Sequence, residues 1–163
     1  MIGLDGMAGE FTIKEGDLSS QQVRGLLALH LAGMHANSPP ENVFALDLSG
    51  LQRPEVTVWT AWEGEKLAGI AALRRLPEGG EIKSMRTHPA YLQKGVASRL
   101  LAFVMAQAAA SGIKTLYLET GTGPAFEPAL ALYRKHGFSA CPAFGDYQEN
   151  AFSQFLKLHL GPG

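Results

Sequence analysis

The sequence predicts one mixed α/β domain, a central sheet with helices on its faces, and three observations carry the prediction. Val56–Trp62 and Leu67–Leu73 are strand-like runs joined by Glu63-Gly64-Glu65, and Glu81–Thr87 follows through a turn over Leu76–Gly80, which makes an antiparallel meander. Glu81–Thr87, a helical stripe from Val96 to Ser111 and the strand-like Thr115–Thr120 form a strand-helix-strand unit, whose length implies parallel pairing through a right-handed crossover. The apolar period also switches repeatedly between two and about 3.6. It gives the order β-α-β-β-β-α-β-α-β-β, with no repeat and no second domain.

In chain order, Met1–Glu10 is small, glycine-containing and unpatterned, and is expected to be a disordered leader to a domain spanning 11–160. Phe11–Lys14 is a short first strand. The first helix starts with Ser19 as N-cap, Gln22 completing a capping box and Leu18 stapling onto Val23. Its apolar stripe (Val23, Leu26, Leu27, His30, Leu31, Met34) puts His30 on the buried side, where a satisfied core or edge histidine is the favoured reading. Pro39 and Pro40 stop this helix. Ser38 to Asp47 reads as a connecting loop or a substrate-covering wall, with a short helix around Glu41–Leu46 and two carboxylates, Glu41 and Asp47, suited to a cationic amine.

In Val56–Trp62, Val56, Val58, Thr60 and Trp62 face one way, and Thr57, Trp59 and Ala61 the other. The nearly continuous apolar run Leu67–Leu73 fits a strand covered on both faces. Pro89 holds His88 out of the helical region and ends the next strand, and Gly112 closes the helix that follows. Pro124–Gly137 is a helix whose regular part starts near Phe126 or Glu127, because Pro128 fits only a first turn. Phe138–Cys141 and Ala151–His159 are closing strands joined by the polar loop Gly145–Asn150.

A net charge of -1, with no aromatics interleaved in a basic run, gives no reason to expect nucleic acid as a partner. The single cysteine, Cys141, allows no intramolecular disulfide and fits a reducing cytoplasm. Neither C-x-x-C nor H-E-x-x-H occurs to support a metal site, and no apolar run is long enough to span a membrane. The N-terminus lacks the order of a signal peptide. The expectation is a cytoplasmic domain, monomer or homodimer.

Leu92 to Ala97 feeds a helix N-terminus, whose free N–H groups and dipole attract anions, and Gly95 and Ala97 carry little side chain to keep a phosphate away. An ordinary strand-turn-helix connection shares these features. The surrounding stretch THPAYLQKGVASRLL, however, resembles motif A of the GNAT N-acetyltransferases, a His-Pro turn followed by R/Q-x-x-G-x-G/A opening a helix. Gly95 and Ala97 match the last two positions, Lys94 and Ser98 suit the pattern, and Leu92 departs from it, standing where the family usually carries Arg or Gln. Further on, ALYRKHGF (Ala131–Phe138) resembles the family's L-Y-x-x-x-G-F. The resemblance covers roughly residues 11–160. SPPENVFALD, GEIKSMRT and YLETG are in addition similar to the bacterial acetyltransferases of the YsnE type.

The resemblance implies a mostly antiparallel sheet with helices on both faces and its one parallel pair at a cofactor cleft. It implies acetyl-CoA as cosubstrate and acetyl transfer to a small-molecule amine, directly in a ternary complex. The main chain of Leu92, Gln93, Lys94, Gly95, Val96, Ala97 and Ser98 would hold the pyrophosphate, with Lys94 or Arg99 supplying charge. Met85, Arg86 and Thr87 would pair with the pantetheine arm, and N–H groups around Met85 would polarise the carbonyl. An alkylamine, with a pKa near roughly 10, must lose a proton before it attacks. Glu81 is the first candidate base and Glu119 the reserve; otherwise Glu81 is a strand carboxylate paired with Lys83 or Arg74. Tyr133 is the candidate acid for the departing thiolate. Cys141 has nothing nearby in sequence to lower its pKa and reads as structural. Arg74, Arg75 and Arg86 suit an acceptor carboxylate. Rival readings are a CoA-binding sensor or interaction module without turnover, and a protein N-terminal or lysine acetyltransferase.

Overall fold

A computed structural model of the chain describes residues 10–161. The leader expected over 1–10 lies outside the described residues but for Glu10, which is exposed. Among the described residues seven strands make one sheet: β1 (Thr12–Glu15), β2 (Val56–Glu63), β3 (Lys66–Leu76), β4 (Gly79–Thr87), β5 (Thr115–Thr120), β6 (Ser139–Ala140) and β7 (Gln154–His159). Their spatial order is β1-β2-β3-β4-β5-β7-β6. Every pairing is antiparallel except β4 with β5, the pair that the strand-helix-strand unit predicts. The helices are α1 (Gln21–Asn37), α2 (Leu48–Leu51), α3 (Val96–Ala110) and α4 (Glu127–Lys135).

The period-two alternation in β2 divides the core. Trp59 and Ala61 join Leu100, Leu101 and Val104 of α3 and Leu130 of α4 on one face of the sheet. Val58 and Trp62 join Val23, Leu26 and Leu27 of α1 and Leu51 of α2 on the other. Each large side chain so buried contributes about 1.5–3 kcal/mol. β3, sandwiched between these layers, is buried from Leu67 through Leu73, as its continuous apolar run requires.

Several local expectations are corrected. Ser20, not Ser19, caps α1, its Oγ accepting from Val23 N at 3.4 Å. Gln22 forms no capping box, because its amide is drawn to the β2–β3 turn. There it donates to Glu65 O (2.8 Å) and accepts from Leu67 N (2.9 Å). The helix expected over Glu41–Leu46 is only a 3-10 turn, Pro40–Asn42, and helical structure resumes at α2, where Asp47 Oδ1 caps Gly50 N at 2.9 Å. The regular part of α4 begins at Glu127 after a 3-10 turn Pro124–Phe126, with Pro128 in its first turn as predicted. The closing strands are shorter than expected, and residues 141–153 between them are irregular.

Candidate active site

Where β4 reaches Ser84 the strand carries an extra residue. The register with β3 shifts between Ile70 and Ala72, and Ser84 takes a left-handed φ of 55°. A bulge bends its strand, and here β4 leaves β5. The two pair only at Gly80↔Leu116 and Glu81↔Tyr117, although β5 runs on to Thr120. From Ile82 to Thr87 the β5-facing edge of β4 is therefore unpaired, and a cleft of about 170 Å³ opens beside it. Ser84, Met85, Arg86, Glu119 and Tyr133 line this cleft.

Of the residues picked from sequence, Met85, Arg86, Glu119 and Tyr133 line this cleft, and Thr87, residues 92–98 and Glu81 do not. After β4, His88 accepts from Ala90 N through Nδ1 (3.0 Å) in the 3-10 turn Pro89–Tyr91. Tyr91 is buried and donates to Glu63 Oε1 at 2.7 Å, anchoring the turn. The chain then runs out through Leu92, Gln93 and Lys94, all exposed, to Gly95, the N-cap of α3 at φ 84°. Glycine meets that φ without strain. No side chain caps this helix, so the N–H groups of its first turn are unmatched within it. Ser98 Oγ lies 3.3 Å from His136 Nε2. Since His136 Nδ1 donates to Leu132 O (3.0 Å), that tautomer makes Ser98 the donor, tying α3 to the end of α4.

Tyr133 is 7 % exposed, with its ring edge-on to Phe138 and no hydrogen bond to its hydroxyl among the described residues. Burial pushes its pKa up to about 12, keeping a proton on the phenol at neutral pH. Glu119, on the facing strand, accepts from Ser153 Oγ at 2.7 Å through one oxygen, and burial raises its pKa despite that bond. Glu81 lies elsewhere. It is 1 % exposed and lines a second, larger cavity of about 1050 Å³, walled by Phe44, Arg74, Phe144 and Tyr147. Its Oε2 accepts from Tyr147 Oη at 2.5 Å and faces Lys83 Nζ at 3.4 Å, while Oε1 is 4.0 Å from Arg74 Nη1. The pairing with Lys83 and Arg74 foreseen as the alternative role of Glu81 is thus formed. Lys83 also donates to Phe44 O and Tyr147 Oη, both at 2.9 Å, and with Phe44 it borders both cavities. The cavities meet at that pair.

Comparison with known proteins adds a sequence-wide observation. The sequence model of the Acetyltransferase (GNAT) family matches residues 24–138. The chain belongs to that family. It is 48% identical over 151 residues to the uncharacterized N-acetyltransferase YedL of Escherichia coli strain K12, spanning 92% of this chain and 95% of the relative. Its identity to the uncharacterized N-acetyltransferase YsnE of Bacillus subtilis strain 168 is 47% over 149 residues, 91% of this chain and 99% of that one. A Bacillus subtilis acetyltransferase solved in complex with CoA shares the fold at TM-score 0.69, covering 93% of this chain and 99% of its own at 21% identity.

Three functional candidates escaped the sequence. Tyr147 was only part of a polar loop, yet it meets Glu81 across 66 residues of chain. In sequence Lys83 is only a partner for Glu81, and nothing local marks it as the junction of two cavities. His30 is buried as expected but not satisfied, since its Nδ1 has no hydrogen-bond partner among the described residues. Cys141 is partly buried with a raised pKa caused mainly by desolvation, consistent with an inert thiol. No group of three or more His, Cys, Asp or Glu among the described residues is placed to hold a metal. No helix among them is long and apolar enough to cross a membrane.

Proposed function

We propose that the protein is an acetyl-CoA-dependent N-acetyltransferase that acetylates a small-molecule amine by direct transfer in a ternary complex. The observation that carries this reading is the parting of β4 from β5, with Tyr133 and Glu119 lining the opening. The residues fit the cosubstrate. A free strand edge at Met85, Arg86 and Thr87 suits the amides of a pantetheine arm, and the uncapped start of α3 suits a pyrophosphate. Leu92 is 59% exposed and cannot bind phosphate through its side chain, so Gln93, Lys94, Gly95, Val96, Ala97 and Ser98 serve through main-chain N–H groups and the Lys94 charge.

Acetyl-CoA supplies a thioester activated for attack by an amine. Glu119 takes the ammonium proton, its raised pKa making it a better base than an ordinary carboxylate. Glu81 is the less favoured base, because it lines the larger cavity and not the cleft beside Tyr133, and its Oε2 is already held by Tyr147 and Lys83. It holds those two side chains at the floor of the larger cavity, through which the amine enters. Tyr133, protonated and with no hydrogen-bond partner among the described residues, donates to the departing thiolate. Main-chain N–H groups near Met85, freed by the bulge, face the carbonyl oxygen as it gains charge.

The test is release of CoA from acetyl-CoA across a broad panel of small amines and peptides. Turnover of a small amine, with Tyr133→Phe slowed, supports the proposal. Tight acetyl-CoA binding without turnover of any acceptor would instead favour a sensor, and turnover of peptides alone a protein acetyltransferase.

A further inference from the structure

On the α1 side of the cleft, two buried polar atoms lack partners in a way that points to a ligand. His30 is 8% exposed and its Nδ1 has no hydrogen-bond partner among the described residues; the Arg86 side chain is only partly buried, but its Nε is shut off from solvent and likewise unpartnered there. Both side chains line the cleft, as does Ser84, whose buried Oγ is also unpartnered. They are held together. Arg86 Nη2 lies 3.4 Å from both Leu29 O and His30 O, long contacts to the backbone of α1. Gly33 makes that seat possible, because a Cβ there would collide with the guanidinium. No carboxylate among the described residues forms an ion pair with Arg86.

Buried polar atoms are nearly always hydrogen-bonded, and each one left bare is destabilising. A guanidinium Nε–H can only donate, and an imidazole Nδ1 can donate in one tautomer. Two such donors on one wall, one of them cationic, call for an oxygen acceptor carrying negative charge. Burial, and after it the charges of Arg86 and Lys83, lower the His30 pKa to about 4, so His30 is neutral at pH 7 and the positive charge of this wall is that of Arg86 and Lys83. Glu119, which would receive the amine, lines the same cleft of about 170 Å³.

We infer that the acceptor is a small amine that also carries a carboxylate, an amino acid in type, and that Arg86 and His30 bind that carboxylate. This rests on the N-acetyltransferase reading above. Of the three arginines suited to a carboxylate, Arg86 is selected because Arg74 already faces Glu81 and Arg75 is exposed.

The experiment measures kcat/KM for the common L-amino acids, each beside its decarboxylated amine, with acetyl-CoA binding followed separately by calorimetry. At least one amino acid should exceed its decarboxylated counterpart by about tenfold or more, since a site built for a polar group rejects the analogue lacking it. Arg86→Met should bring that ratio towards one. As a readout independent of variants, saturating the wild-type protein with CoA and the preferred amino acid should raise the pKa of His30 seen by NMR; the decarboxylated amine should not. Equal or faster turnover of the decarboxylated amines would overturn the inference. So would failure of every amino acid to react in a protein that binds acetyl-CoA. Absence of acetyl-CoA binding would instead remove the reading on which it rests.

Discussion

Tyr133→Phe removes one oxygen from a side chain otherwise packed against Phe138 and the α3 face of the core. Packing and acetyl-CoA affinity should survive, while kcat and kcat/KM fall together by roughly 10- to 1000-fold, the mark of an interaction made in the transition state. Steady-state kinetics beside thermal unfolding checks this; unchanged turnover makes Tyr133 a packing residue. Glu119 gives a pH signature. Its carboxylate must be ionised to accept a proton, and burial raises its pKa, so activity should fall as pH drops through a value above the usual carboxylate range. Glu119→Gln should abolish that acidic limb, whereas loss of the limb in Glu81→Gln alone would return the role to Glu81. His30 has a stability signature. Its pKa lies near 6.5 unfolded and is lowered to about 4 in the fold, so the unfolded chain binds more protons between those values. Stability should therefore decline as pH falls from about 6.5 to about 4, by up to about 3 kcal/mol, and less in His30→Asn. Equal acid sensitivity of the two proteins in urea melts contradicts this. Tyr133 and Glu119 could be found from sequence because a helical motif and a strand carried them. Tyr147 and the unsatisfied state of His30 could not, because both depend on contacts across distant segments.

At the scale of elements, the start of α3 is the most exposed to test. Gly95 sits at φ 84°, and a Cβ there meets nothing within 4 Å, so Gly95→Val strains the backbone without colliding with the fold. The expected cost is about 1–3 kcal/mol of stability, with loss of acetyl-CoA binding in calorimetry and unchanged circular dichroism. Unaltered affinity in the folded variant would contradict the phosphate-binding role. The strand-to-helix junction was legible because Pro89, Gly95 and the change of apolar period are local signals. The bulge at Ser84 was not, since an ordinary serine takes the left-handed φ there and no glycine announces it. Likewise Ser19 and Gln22 carry a capping-box pattern that the tertiary structure overrides by giving Gln22 the β2–β3 turn.

For the whole molecule, the meander, the parallel β4–β5 pair and the two-faced core followed from sequence, because of the period-two alternation in β2 and the crossover through α3, whereas the place of β7 between β5 and β6 did not. The two cavities did not follow. They arise where β4 diverges from β5 and where residues 141–153 lie over Glu81, and irregular chain has no periodicity to read. A ligand that binds only the folded state must raise its stability, by about 2.7 kcal/mol at a hundredfold excess over Kd. A crystal structure with CoA bound tests directly whether the cleft between β4 and β5 holds the cosubstrate. The cleft account predicts the pantetheine arm along Met85 to Thr87 and the sulfur within about 3.5 Å of the Tyr133 hydroxyl. CoA lying in the larger cavity over Glu81, with the cleft between β4 and β5 unused, would contradict it.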